Sequence, residues 1–244
     1  MKLEICLDSV ASALSAAAGG ADRVELCANL LEGGTTPSAG MIAATRRAIS
    51  IGLHVMIRPR GGDFLYSRDE LAVMREDIAF AKSAGAHGVV FGCLRADGTI
   101  DEGATAELAK LARPMSVTFH RAFDVCLDAG AALETLTGLG IDRILTSGQA
   151  PNVLEGAPRI AELIRAAAGR VIILPGGGIT EANLPRIMAE TGANEFHMSL
   201  SRREDGPMRH RVSNIPMGGA LFPNEHDRVA TDTSAVARVR AKLR

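Results

Sequence analysis

Short runs rich in β-branched and apolar residues recur along the chain, and each is followed by a stretch whose apolar positions fall at helical spacing. Eight such runs stand out: 3–7, 23–27, 53–58, 88–91, 115–120, 142–147, 171–174 and 194–199. Strand and helix in regular alternation predict a parallel sheet wound with helices. Glycine closes most of the helical stretches before the next run, as in GGADRVE (19–25), SAGAHGVV (83–90), LGIDRIL (139–145) and TGANEFH (191–197), where it suits a left-handed cap. The recurring phrase reads as a degenerate βα repeat. Helix starts are marked as well. Ser67 with Glu70 spells a capping box, after which Leu71, Met74, Ile78 and Ala81 share one face. Ser38, Asp128 and Thr180 signal further helix starts.

The eight units fill 244 residues, close to the roughly 250 typical of a closed eight-fold βα barrel. The prediction is therefore an α/β fold, a single (β/α)8 TIM-barrel domain over residues 1–244. A doubly wound open sheet is the rival architecture, but it would carry a GxGxxG turn after its first strand. Here the first strand runs into DSVASAL, and no nucleotide-cofactor motif follows it. A long connection, 200–228, comes after the eighth strand, where it could cover the barrel mouth, and a closing helix is expected over 232–243.

Side chains alternate between the two faces of a strand, so the apolar positions can be assigned to the helix layer and the rest to the barrel interior. Ile5, Leu7, Val24 and Leu26 face outward, which leaves Glu4, Cys6, Asp8, Glu25 and Cys27 inside. The same parity turns His54, Met56 and Arg58 inward from the third strand, Thr118 and His120 from the fifth, and Glu195, His197 and Ser199 from the eighth. Barrel interiors are ordinarily layered with Val, Ile and Leu. Charged groups there must form a paired network or face a ligand-holding mouth. By height in their strands, Glu4 and Glu25 fit a low structural network, whereas Cys6, Cys27, Arg58 and His120 sit at the upper ends and are the better site candidates.

The loops over the same end repeat the theme with RPRGGDF (58–64), HRAFD (120–124), TSGQ (146–149) and PGGGI (175–179). Gly-rich turns after the seventh strand of such barrels often hold phosphate. Arg58, Arg60 and Arg121 could supply bidentate contacts to an anion. Asp124, Ser147, Gly176, Gly177, Gly178 and His197 complete the candidate substrate-binding set, although the glycines could equally make a plain tight turn. None of the four lysines falls at a strand's upper end, which excludes a Schiff-base aldolase. HExxH and an HxH on the first strand are both missing, which removes the familiar zinc hydrolase constellations.

Composition narrows the partners. Net charge is −1 with both signs interspersed, and there is one Tyr and no Trp, so nucleic acid is not an expected partner. No run of about 18 apolar residues and no charged n-region with a signal-like core occurs, so membrane partners are not expected and a cytoplasmic location is. The four cysteines, Cys6, Cys27, Cys93 and Cys126, lie far apart without a CxxC pair and are expected to be free thiols. All four fall at or just past the upper ends of strands. Cysteine is often merely a small buried hydrophobe. Thiolates are also the soft ligands that select Cu(I), and Cys6 and Cys27 lie on adjacent strands about 5 Å apart. A stagger in height between those strands would call for a third ligand.

The segments LEICLDSVASAL (3–14), GGADRVELC (19–27), EGGTTPS (32–38), IRPRGGDFLYS (57–67), TFHRAFDVC (118–126) and LTSGQ (145–149) resemble the CutC family of copper homeostasis proteins. The likeness continues more loosely through PGGGI and PMRHR (207–211). It implies a cytoplasmic (β/α)8 barrel, usually oligomeric, that binds Cu(I) through cysteines. Cys6 and Cys27 match the family's EIC and ELC motifs, and Cys126 matches the Cys after FD; Cys93 has no counterpart. Two functions follow. One is copper homeostasis with Cys6 and Cys27 as Cu(I) ligands. The other is a barrel enzyme of lyase, isomerase or hydrolase type acting on a small anionic or phosphorylated metabolite, with Arg58, Arg60 and the Gly176–Gly178 loop holding the anion and Glu25 or His120 as general acid or base. Apolar positions on the outer helices make a homodimer or larger homo-oligomer the expected assembly.

Overall fold

The computed structural model of the protein describes residues 1–211 and 227–243. Eight strands form one parallel sheet: β1 (Lys2–Leu7), β2 (Arg23–Leu26), β3 (Gly52–Met56), β4 (Gly88–Phe91), β5 (Ser116–Phe119), β6 (Arg143–Thr146), β7 (Ile172–Pro175) and β8 (Glu195–Met198). The helices between them are α1 (Val10–Ala18), α2 (Ala39–Ala48), α3 (Arg68–Ser83), α4 (Glu102–Ala112), α5 (Ala129–Gly138), α6 (Val153–Ala167) and α7 (Leu184–Thr191). Neighbours pair in chain order, and β1 pairs β8, so the sheet curls into a (β/α)8 barrel. The last seam, between β7 and β8, is held by a single bridge from Gly176 to His197. Below that bridge the seam opens, and Ile172 stays partly exposed.

The caps expected from sequence form. Ser67 and Glu70 make a reciprocal capping box, and Ser38 and Asp128 accept from the third helical N–H of α2 and α5. Thr180 instead closes a turn with Asn183, through Thr180 N–H to Asn183 Oδ1 and Asn183 N–H to Thr180 Oγ1. That turn delays α7 to Leu184.

The long connection after β8 is not loop throughout. Its ends pair as an antiparallel ribbon of β9 (Ser201–Asp205) and β10 (Asp227–Thr231), and α8 (Thr233–Lys242) follows. The unbroken run of polar and charged residues in SRRED gives no apolar face, which hides the strand from a hydrophobicity reading. Of the 200–228 connection expected to cover the mouth, 212–226 lie outside the described residues. The root of the ribbon is tied to the barrel where Thr231 N–H donates to Ser12 Oγ at the start of α1.

The apolar core is the shell between sheet and helices. Ile5, Val24, Leu26, Leu53, Val55, Val89, Phe91, Val117, Phe119 and Ile144 are fully buried there against α-helical residues such as Ala13, Ile42, Met74, Ile78, Leu136 and Ile160. Each such side chain contributes about 1.5–3 kcal/mol by leaving water. Those contacts aim the alternate side chains into the barrel, where the chemistry lies.

Candidate functional site

The interior has two storeys. In the lower one Glu4 bonds Arg23 Nε, and Arg23 Nη2 lies 2.7 Å from Glu195 Oε2. Arg143 donates to the same Glu195 oxygen at 2.9 Å and to Ser116 Oγ at 2.6 Å. His197 Nδ1 lies 2.7 Å from Glu4 Oε1, and His54 Nδ1 stands 3.6 Å from the other Glu4 oxygen. Burial raises the cost of charge on Glu4, but Arg23 and the two histidines outweigh it and hold the carboxyl well below its usual range. Burial wins at His54, which is pushed down to about 4 and kept neutral.

The upper storey surrounds a cavity of about 190 Å³ lined by Cys6, Glu25, Glu32, Gly33, Met56, Arg58, Phe64, His120, Arg121, Leu145 and His197. Cys6 is in register with Glu25 on β2, and Cys27 follows two residues on, one step higher. The stagger is small enough that Cys6 Sγ and Cys27 Sγ stand 3.8 Å apart, with Cys27 Sγ 3.5 Å from Glu25 Oε2. These three residues offer ligand atoms all within 4.8 Å of one another, and so do Glu4, Glu25 and His197. Glu25 therefore belongs to the mouth rather than to the low network.

The mouth's protons follow from this packing. The Cys27 thiol hydrogen bond lowers Cys6 to about 5 against the cost of burial, with His197 adding to the shift. The same bond and burial raise Cys27, so the pair is one thiolate and one thiol. Burial, together with the nearby Cys6 and Glu4, raises Glu25 well above the carboxylate range. At His197 burial opposes the charge, but Glu25, Cys6 and Glu4 prevail and hold the ring protonated.

Arg58 and His120 are placed by their loops. Arg58 Nη1 donates to Glu32 O at 2.7 Å and Gly34 O at 2.9 Å, and Nη2 to Gly62 O at 2.9 Å, so the guanidinium staples the β2 and β3 loops together. Phe64 stands beneath it, 5.1 Å from Cζ, and packs at 4.9 Å against the His120 ring. His120 Nδ1 accepts from Ala122 N–H at 3.2 Å, capping the short 3-10 turn Arg121–Val125. Burial and the Arg58 charge push His120 down to about 3, which leaves a neutral ring with little capacity as a base.

Glycine makes room for each inward histidine. A Cβ on Gly88 would meet the His54 ring at 2.6 Å, one on Gly92 the His120 ring at 2.6 Å, and one on Gly176 the His197 side chain at 3.0 Å.

Several expected site residues stand apart from the cavity. Arg60 turns outward, bonding Asp63 and Glu70 and stacking over Tyr66. Asp124 fills the β6 loop itself, accepting from Ser147 N–H at 3.0 Å and Gln149 N–H at 3.2 Å and bonding the Thr146 and Ser147 hydroxyls. An internal carboxylate thus occupies the N–H groups of the β6 loop. Arg121 reaches the rim, paired with Asp124 at 2.7 Å and with Ser147 Oγ at 2.8 Å, and its guanidinium lies beside Gly177. Gly176 bridges to β8, and Gly178 sits against Asn152, both behind the rim. Cys126 lines a different surface depression beside α5, and Cys93 is buried in the core. Glu32, Phe64 and Met56 line the site without having been singled out for it. The EGGTTPS and RPRGGDF segments contain the first two, but only the fold brings them to one wall.

The fold and the site define a (β/α)8 barrel with thiol, imidazole and carboxyl groups at its mouth, and the comparisons with known proteins narrow it. A model of the CutC family matches residues 1–202. A copper homeostasis protein cutC homolog from Mus musculus is 51% identical over 239 residues, covering 98% of this chain and 88% of its own. The Homo sapiens homolog is 50% identical over the same length. A crystal structure of CutC from Streptococcus agalactiae superimposes with a TM-score of 0.78 at 35% identity, covering 82% of this chain and 98% of that one. The chain belongs to the CutC family.

Proposed function

We propose that this chain serves copper homeostasis in the cytoplasm by taking up Cu(I) at the barrel mouth through Cys6 and Cys27. The observation that carries the reading is the 3.8 Å separation of the two sulfurs at the head of adjacent strands. With metal–thiolate bonds of about 2.3 Å, two sulfurs can share one ion when they lie within roughly 4.6 Å. Soft thiolates suit Cu(I), and the Cys6 thiolate is already available at neutral pH. Glu25, 3.5 Å from Cys27 Sγ, is the nearest third donor. The names of the mouse and human relatives support the same role. No helix among the described residues is long and apolar enough to cross a membrane, which accords with the proposed location.

Anaerobic Cu(I) titration against a competing chelator tests the reading, with wild type and the Cys6→Ser/Cys27→Ser variant in parallel. One-to-one uptake that disappears in the variant is expected. Uptake that survives the double substitution would remove these thiols from the function. Assembly as a homo-oligomer belongs to the same proposal. Exposed Leu14 on α1 and Val73 and Phe80 on α3 support it, and light scattering on the purified chain checks it.

A further inference from the structure

Copper ligation by two thiols leaves part of the mouth without a role. Arg58, His120 and Glu25 line the cavity, and each is more than nine-tenths buried. Each also has one polar atom that finds no partner among the described residues: Arg58 Nε, His120 Nε2 and Glu25 Oε1. Buried polar atoms are paired in nearly all native interiors, so three orphans around one cavity call for an explanation.

Two of the three are donors. His120 Nδ1 accepts a backbone N–H, so the neutral ring carries its own proton on Nε2. At the outer end of Arg58, Nη1 donates to Glu32 O and Gly34 O and Nη2 to Gly62 O, and the Nε–H remains without a partner among the described residues. No ion pair to Arg58 occurs among the described residues, although the group is permanently charged. The acidic neighbours are turned elsewhere. Glu32 rests its carboxylate against Gly61, and Asp124 fills the β6 loop. Met56, Phe64 and Leu145 supply an apolar part of the wall, and Cys6, Arg121 and His197 line the rest.

We propose that the mouth binds a short-chain carboxylate metabolite, its two oxygens accepting from Arg58 Nε–H and His120 Nε2–H and its short body lying against Met56, Phe64 and Leu145. The size fits: about 190 Å³ is below the roughly 300 Å³ at which drug-sized sites begin. Two N–H donors match a planar carboxylate. A phosphate has more oxygens to satisfy, and the N–H groups of the neighbouring β6 loop are already taken by Asp124. His120 is then a hydrogen-bond donor to the ligand rather than a general base, and Arg58 supplies the positive charge.

The test is calorimetric titration of metal-free, chelator-treated protein with acetate, propionate, pyruvate and succinate, and separately with inorganic phosphate. Saturable binding of at least one carboxylate, weakened at least tenfold in His120→Phe, is the expected result. Binding of phosphate alone overturns the carboxylate class, and binding of nothing, or binding indifferent to His120→Phe, overturns the site. Should that variant not fold, nitrogen NMR of the wild-type His120 ring decides: ligand must shift the Nε2–H resonance, and an unmoved resonance rejects the proposal. The Cu(I) titration is a separate readout, so either proposal can fail while the other stands.

Discussion

Glu4 and Glu25 point into the same barrel from adjacent strands, yet their surroundings are opposite. Glu4 is ringed by Arg23, His54 and His197 and is held ionised. Glu25 makes no ion pair with an arginine among the described residues; two sulfurs, Glu4 and a histidine 3.7 Å away surround it, and burial raises its carboxyl well above the usual range. The contrast extends to their whole storeys. Below, two arginines and two glutamates pair by charge around Ser116, although Arg23 Nη2 and His54 Nδ1 make no hydrogen bond. Above, Arg58, His120 and Glu25 each leave an atom unpaired around a cavity. The lower set is held by direct pairing of opposite charges, whereas the upper set borders a cavity.

The sharpest way to separate the storeys is to break each in turn. Arg23→Met leaves Glu4 and Glu195 as buried charges, and a loss of about 3–5 kcal/mol in urea denaturation is expected, because stranding one member of a buried pair is far costlier than replacing the pair. A loss under about 1 kcal/mol would mean the lower network is not a stability element. In the upper storey, Cys6→Ser/Cys27→Ser should lower Cu(I) affinity by roughly a hundredfold or more, since changes behind the ligands already cost 10–100-fold. Folding stability should change far less than in the Arg23 variant.

A matched pair of small substitutions refines the division. Gly88→Ala and Gly92→Ala each press a methyl on a histidine ring, His54 and His120 respectively. Both should destabilise by about 1–3 kcal/mol, the usual range for overpacking. Only Gly92→Ala should displace the His120 ring resonance; equal displacement in both variants would show the storeys to be one coupled unit.

Acid provides a gentler probe. His120 titrates at about 3 in the folded chain against an ordinary 6.5, so unfolding takes up a proton between those values and stability falls as pH drops through that window. The slope from this one ring is at most about 1.4 kcal/mol per pH unit. Denaturation at pH 6.5, 5.5 and 4.5 should show a shallower decline for His120→Phe than for wild type; parallel declines would mean the ring is not held neutral. The smallest effect is expected from Arg60→Ala. Its ion pairs are partly exposed, so stability should move by less than about 1 kcal/mol, and Cu(I) uptake should not move at all. Altered copper uptake there would bring Arg60 back into the site.

Much of this was legible in the residues because alternation along a strand is a local rule. The eight runs, the Ser67–Glu70 box and the inward parity of Glu4, Cys6, Glu25, Arg58, His120 and His197 all follow from spacing 2 or 3.6. Height and partnership do not. Arg60 and Asp124 were plausible anion-site residues by type, but Arg60 finds Glu70 ten residues on, and Asp124 finds the backbone of a loop 23 residues away. Glu25 looked low because β2 was counted alone, and only the register with β1 sets it beside Cys6.

By itself, then, the sequence determined the repeating βα unit, the helix caps, the two-faced strands and the kinds of groups turned inward. The tertiary structure decided which of those groups satisfy one another and which are left open. The physical reason is that periodicity is set by backbone geometry within a few residues, whereas pairing and the protonation it governs depend on the stagger of strands that meet only when the barrel closes.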